Sequence, residues 1–234
     1  MFRVPRFLKI CIRMFFRPVE TIEDISIEPE YLSPLLYLLI LVLLTWLYVY
    51  LYTNRIVIVT PRGEISLWEY EVQPRLSALL ATRVLGLMTM WFILFGLYYL
   101  VGKIMGSEEE TATLFPLSGM SYHIQIVYMV LDLTILSCCL TTVPIIKVSG
   151  LMSSNFTISS SYAVNILLWS TSPKFPHIRS LYEWFFPLWG AVYNIMVMRI
   201  DRGLDLKSAI IGGSLVSATM ALIHIILTLL GFPM

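Results

Sequence analysis

The sequence is poor in charge. Asp, Glu, Lys and Arg make up only 13% of its 234 residues, where a soluble domain carries about a quarter. The two signs nearly cancel, at 16 Lys+Arg against 15 Asp+Glu, so the chain lacks the basic surplus of a nucleic-acid binder. Cysteine is scarce as well. Cys11 and the adjacent pair Cys138 and Cys139 form neither a disulfide framework nor a metal-ligand spacing. No metal, no cofactor and no identifiable small-molecule substrate is expected.

Enzyme signatures are missing too. There is no His-Glu-x-x-His, and Gly119-Met120-Ser121-Tyr122-His123 lacks the last glycine of a serine nucleophile turn. Glu108-Glu109-Glu110 falls in a loop and reads as a solvated turn. Neither a phosphate loop nor a dinucleotide fingerprint occurs. The expectation is a protein that is not an enzyme.

What the chain has in quantity is apolar surface: 58% hydrophobic residues and a mean hydropathy of +0.80. A soluble fold of this length cannot bury that much, because surface falls too slowly with size. The solvent for most of the chain is therefore lipid. About 20 apolar residues are needed to cross it, and five segments qualify, at about 33–52, 79–101, 123–146, 181–199 and 208–230. Tyr and Trp collect near several ends, among them Trp46, Tyr48, Tyr50, Tyr52, Tyr182, Trp184 and Trp189, as amphipathic rings do at headgroup level. The expected fold is an all-α, polytopic integral membrane bundle of five transmembrane helices. Residues 1–32 form an N-terminal segment and 33–234 one membrane domain.

With the N-terminus in the cytoplasm, nine basic residues fall inside and seven outside. That favours a cytoplasmic N-terminus and an outside C-terminus, in the cell membrane if the source is prokaryotic. Lys9 and Arg13 interrupt the first apolar stretch, so no cleavable signal peptide is expected. Arg6, Lys9, Arg13 and Arg17 recur at steps of three and four, along one side of a helix. The segment reads as an amphipathic helix lying in the membrane surface against anionic headgroups, or as a simple topology signal.

Two connections carry detail. Arg55–Val59 and Glu64–Tyr70 flank the turn Thr60-Pro61-Arg62-Gly63, whose early Pro and late Gly predict a small extramembrane β-hairpin. Residues 147–180 hold the sequon Asn155-Phe156-Thr157, a possible glycosylation site on the outside face, and the apolar stretch Tyr162–Trp169.

Burying polar groups in lipid is costly, so those inside spans are the place to look for chemistry. Asp132 and Gln125 lie seven residues apart in the third span, His224 is in the fifth, Asn194 in the fourth and Arg83 near the outer end of the second. As a cluster they would make either a proton- or ion-linked site or a polar clasp between helices. Gly213, Ser217 and Ala221 recur every four residues in the fifth span, a small-residue face for packing within the bundle or for dimerisation.

Three stretches carry a resemblance. Phe16-Arg17-Pro18-Val19-Glu20-Thr21-Ile22 precedes Glu28-Pro29 and Pro34; Gly119–Tyr122 leads into the third span; and Trp189-Gly190-Ala191-Val192 precedes Arg199 and Arg202-Gly203-Leu204-Asp205-Leu206-Lys207-Ser208-Ala209. This order resembles the Yip-domain family, five-span membrane proteins named for interacting with Ypt/Rab GTPases. The Asp-Leu-Tyr-Gly-Pro segment and long soluble N-terminal region of the eukaryotic trafficking members are not found, so the short prokaryotic, archaeal-like members are the nearer likeness. The resemblance implies a membrane-organising scaffold or partner-binding subunit, with lipid and a protein partner or a second copy as its contacts. The alternative is a small transporter or channel built around Asp132 and His224.

Overall fold

A computed structural model of the chain describes residues 4–60, 63–107, 112–141, 145–149 and 174–229. Pro61, Arg62, Glu108–Glu110, Asn155 and Tyr162–Trp169 lie outside the described residues. The chain is mostly helical and divides into two compact units.

The first unit takes residues 1–42, 82–127 and 185–234. It opens with α1 (Arg6–Phe16) and α2 (Pro18–Ile27). Pro18 separates them, because the residue before a proline is driven out of helical geometry: Arg17 sits at φ −141°, ψ 64°. Pro18 itself suits the first turn of α2, where no amide hydrogen is needed. Glu28, before Pro29, is extended and ends α2 for the same reason. Helix α3 (Leu32–Thr53) starts with Pro34 in its first turn and runs from this unit into the second. The unit's core is built on the fully buried Met14, Ile22, Ile25, Tyr37, Tyr98, Leu117 and Tyr193.

The second unit, 43–81 and 128–184, contains a small sheet. Strands β1 (Ile56–Thr60) and β2 (Gly63–Ser66) are antiparallel, with Val57 opposite Ser66 and Val59 opposite Glu64. The expected hairpin is therefore present, although its second strand stops at Ser66 instead of Tyr70. The hydroxyl of Ser66 accepts the Glu69 amide at 3.2 Å and starts a helix there, as an N-cap does. A third strand, β3 (Ile146–Ser149), pairs parallel to β1, Ile58 facing Val148. It was not foreseen, and the third span accordingly ends at Leu140, short of residue 146. Tyr52, Ile56, Ile58, Leu67, Leu136 and Leu140 form this unit's core.

Helix α4 (Gln73–Ile104) is preceded by a wider π-turn, Trp68–Val72. Pro74 accounts for it: in a regular helix its ring would meet the carbonyl four residues back, and a π-turn opens that space. The third span is two pieces, α5 (Leu114–Met120) and α6 (Tyr122–Leu140). A Cβ on Gly119 would lie 2.5 Å from Pro34 and 2.6 Å from Trp91, so glycine is required there. Helix α7 (Lys174–Glu183) ends just before α8 (Phe185–Ile200), and α9 (Leu206–Leu229) follows.

Among the described residues four helices are long and apolar enough to cross a membrane: Leu32–Thr53, Trp68–Ile104, Leu114–Leu140 and Leu206–Ile226. The expected fourth span corresponds to α8, which has 16 residues and a length of about 24 Å.

Candidate functional site

The buried polar groups are sorted into separate ties, and neither unit holds all five residues of the expected cluster. Asp132 belongs to the second unit, whereas Arg83, Gln125, Asn194 and His224 belong to the first.

Asp132, on α6, is 3% exposed. Its Oδ1 accepts a hydrogen bond from the Tyr182 hydroxyl at 2.6 Å and lies 3.7 Å from Nε of Arg179. Arg179 in turn donates to the Tyr128 hydroxyl from Nε at 2.9 Å and from Nη2 at 2.6 Å. Tyr128 and Asp132 stand one turn apart on α6, and Arg179 and Tyr182 one turn apart on α7. Each pair shares a face, and this spacing is the signal in the sequence that would have found Arg179 and Tyr182.

In the first unit Asn194 joins three helices. The Tyr98 hydroxyl of α4 donates to its Oδ1 at 2.5 Å, and its Nδ2 donates to the Ser217 hydroxyl of α9 at 2.8 Å. One turn earlier Gly213 meets α8 directly, since a Cβ there would fall 2.6 Å from the backbone of Ile195. Gly213 and Ser217 thus pack within the chain, while Ala221 and His224 lie on exposed positions of α9. Gln125 is exposed as well. Arg83 is half-buried, and its buried Nε has no acceptor.

His123 closes the Gly119–His123 stretch, where a nucleophile turn would have its last glycine. It is fully buried, with Nδ1 2.7 Å from the Met120 carbonyl; a bond of that length to an acceptor places the proton on Nδ1. Phe15, Trp189 and Tyr193 set their rings edge-on around it at 5.3–5.8 Å.

The loop between α8 and α9 hides a charge pair. Arg202 Nη2 and Asp201 Oδ2 are 2.9 Å apart and nearly wholly buried. Ser26 of α2 donates to Asp201 at 3.0 Å, and Ser107 donates to the Arg202 carbonyl at 2.9 Å. Gly203 takes φ +63° to turn the chain, a left-handed conformation that favours glycine. Asp205 then caps α9, accepting the Lys207 amide at 3.1 Å. Its hydrogen bond to Ser208, then that to Lys207, hold its carboxyl below the usual range.

The basic stripe of α1 faces carboxylates. Arg13 pairs with Asp24 and, at 3.3 Å, with Glu20; Arg17 reaches Glu20 at 3.3 Å; Arg6 meets Glu28 at 2.5 Å. Lys9 has no ion pair among the described residues. On its core side α1 buries Ile10, Cys11 and Met14. Cys11 touches the Ser33 carbonyl, and burial pushes its thiol pKa up. Ile12 and Phe16 are exposed, Phe16 by 80%.

Helices of this length and apolarity, tied by buried polar pairs, define a multi-pass integral membrane protein. A family model described as Yip1 domain matches residues 12–228. The chain belongs to the Yip1-domain family, and the match spans all three stretches on which the resemblance rested. No curated protein and no solved structure matches it.

Proposed function

We propose that the protein is a non-enzymatic, five-span scaffold that organises the membrane or holds a protein partner, with α1 and α2 at the cytoplasmic surface and the C-terminus outside. The observation that carries this reading is how the strongest polar groups of the spans are used. Asp132 is held by Tyr182 and Arg179, and Asn194 by Tyr98 and Ser217. Groups held this way join helices and are not left converging on a substrate. The transporter alternative, which needs Asp132 free to bind or release an ion, gains no support from this arrangement.

The fifth span is α8. It is antiparallel to α9 along a tight contact in which Met198 faces Gly212, Ile195 faces Gly213 and Asn194 faces Ser217. A helix bound so closely to a span shares its depth, and the shortfall in length is met by local thinning of the bilayer. Crosslinking in native membranes followed by affinity purification tests the role. A stoichiometric protein partner or a defined homo-oligomer is expected. A monomer without partner that conducts protons or solutes when reconstituted in liposomes would sink the proposal.

A further inference from the structure

We propose that α1 meets lipid through an apolar ridge, Ile12, Phe16 and Val19, which inserts among the upper acyl chains, and not through its arginines. The inference deepens the lipid contact of the proposed scaffold and rests on that reading for the place of α1 at the membrane.

The arginines are already engaged. Arg13 faces Asp24 and Glu20, and Arg17 faces Glu20, so two cations meet two carboxylates and the group carries no net charge. What α1 turns outward is apolar. Ile12 and Phe16 stand one turn apart and exposed, opposite the buried Ile10, Cys11 and Met14, and the exposed Val19 follows just past the turn into α2. Covering a Phe or Ile side chain of this kind contributes about 1.5–3 kcal/mol.

The direction of α1 brings the ridge to the bilayer. The Ser33 hydroxyl donates to the Phe7 carbonyl at 3.1 Å and the Tyr37 hydroxyl to the Cys11 carbonyl at 2.7 Å. Both bonds join residues 26 positions apart, so α1 advances along α3 in the direction that α3 takes into the membrane. At the far end of α1, Phe15 sets its ring 5.8 Å from Tyr37 and 5.8 Å from His123. Tyr37 is five residues inside the span Leu32–Thr53 and His123 nine inside Leu114–Leu140, about 8 and 14 Å of helix. Phe16, the next residue, therefore stands beside turns of two spans and not beyond their ends. Lipid is present at this level, because Leu35 and Leu39, on either side of Tyr37, are exposed on α3. Arg17 does not forbid the insertion, since a long arginine lays its stem on apolar surface and keeps its charge among headgroups.

The test uses the full chain in phosphatidylcholine vesicles, with the photo-crosslinking residue p-benzoylphenylalanine replacing Phe16, Ile12 or, as the lipid-facing reference, Leu39. Mass spectrometry identifies what each position captures. Lipid adducts are expected at Phe16 and Ile12 within about threefold of the Leu39 yield, as suits a helix face about 5–10 Å into the headgroup–acyl boundary. Mixing in phosphatidylglycerol should leave that yield unchanged. Lipid adducts at Leu39 with none at Phe16 and Ile12, or capture of a second copy of the chain in place of lipid, overturn the proposal. So does an adduct that forms only with phosphatidylglycerol, which would return the contact to the arginines. Ile12 supplies the reading should the change at Phe16 disturb the turn into α2. The affinity purification that tests the scaffold is independent: a monomer without partner leaves a lipid adduct at Phe16 standing, and a missing adduct leaves a partner standing.

Discussion

Gly213 and Ile195 meet backbone to backbone, so closely that a single added methyl on Gly213 would lie 2.6 Å from the Ile195 Cα. Overpacking of a tight contact costs about 1–3 kcal/mol. Gly213→Ala is expected to lower the thermal midpoint of the purified protein. Gly190→Ala, where a Cβ would have open space around it, serves as the control and is expected to be neutral or slightly stabilising.

Asp132→Asn keeps the shape of the side chain and removes its charge, leaving Arg179 without its carboxylate. Arg179 is one-third exposed, so water relieves part of the loss, and destabilisation of about 1–3 kcal/mol is expected. The double variant Asp132→Asn/Arg179→Gln should cost less than the sum of the two single changes. Strict additivity in thermal unfolding would show that the pair is not coupled.

If α1 lies against anionic headgroups, as proposed, the acidic side of α2 would compete with lipid for its arginines. Each exposed ion pair contributes about 0.2–1 kcal/mol, and a basic residue near an anionic surface gains about 1 kcal/mol. The contest is close. Glu20→Gln/Asp24→Asn is expected to loosen α1 from α2 modestly and to increase retention of phosphatidylglycerol over phosphatidylcholine. Native mass spectrometry of the bound lipids measures it; an unchanged lipid ratio would mean that Arg13 and Arg17 do not reach headgroups.

Asp205 gives the start of α9 an acid-sensitive cap. Its folded pKa lies below its unfolded value, so the stabilisation is complete above the ordinary carboxylate pKa of about 3.9 and disappears as pH falls through the folded value. Asp205→Asn caps nearly as well without titrating. That variant should show a flatter acid limb in thermal unfolding measured against pH.

Cys11 should resist alkylation. Burial favours the neutral thiol over the reactive thiolate, and iodoacetamide at pH 7.5 is expected to modify it at least about tenfold more slowly than a free thiol. Labelling as fast as that of a model thiol would show that α1 leaves its seat readily.

The spans were legible because their signal is local. The uninterrupted Leu/Ile/Val run of α3 and the small-residue spacing of Gly213 and Ser217 each read within a few turns of helix. The hairpin was legible from Pro61 and Gly63. What escaped depends on partners far along the chain. Strand β3 is four residues whose partner lies about 90 positions earlier, and no local pattern announces a parallel pairing. Arg179 falls within the 147–180 connection, and its carboxylate partner Asp132 lies 47 positions earlier. The arginine stripe of α1 was visible, but the acidic spacing of Glu20 and Asp24, which places carboxylates on one side of the next helix, was its overlooked counterpart.

The pairing of β1 with β3 imposes an order on biogenesis. Strand β1 is synthesised roughly 90 residues before β3, which at 5–20 residues per second is an interval of roughly 5 to 20 s. Throughout it β1 can pair with β2 alone, and its other edge is an open template for foreign strands. The ribosome must also deliver the second and third spans before that edge closes. A chaperone or neighbouring chain that engages this protein during insertion therefore has a defined window, which shuts when Ile146–Ser149 arrives.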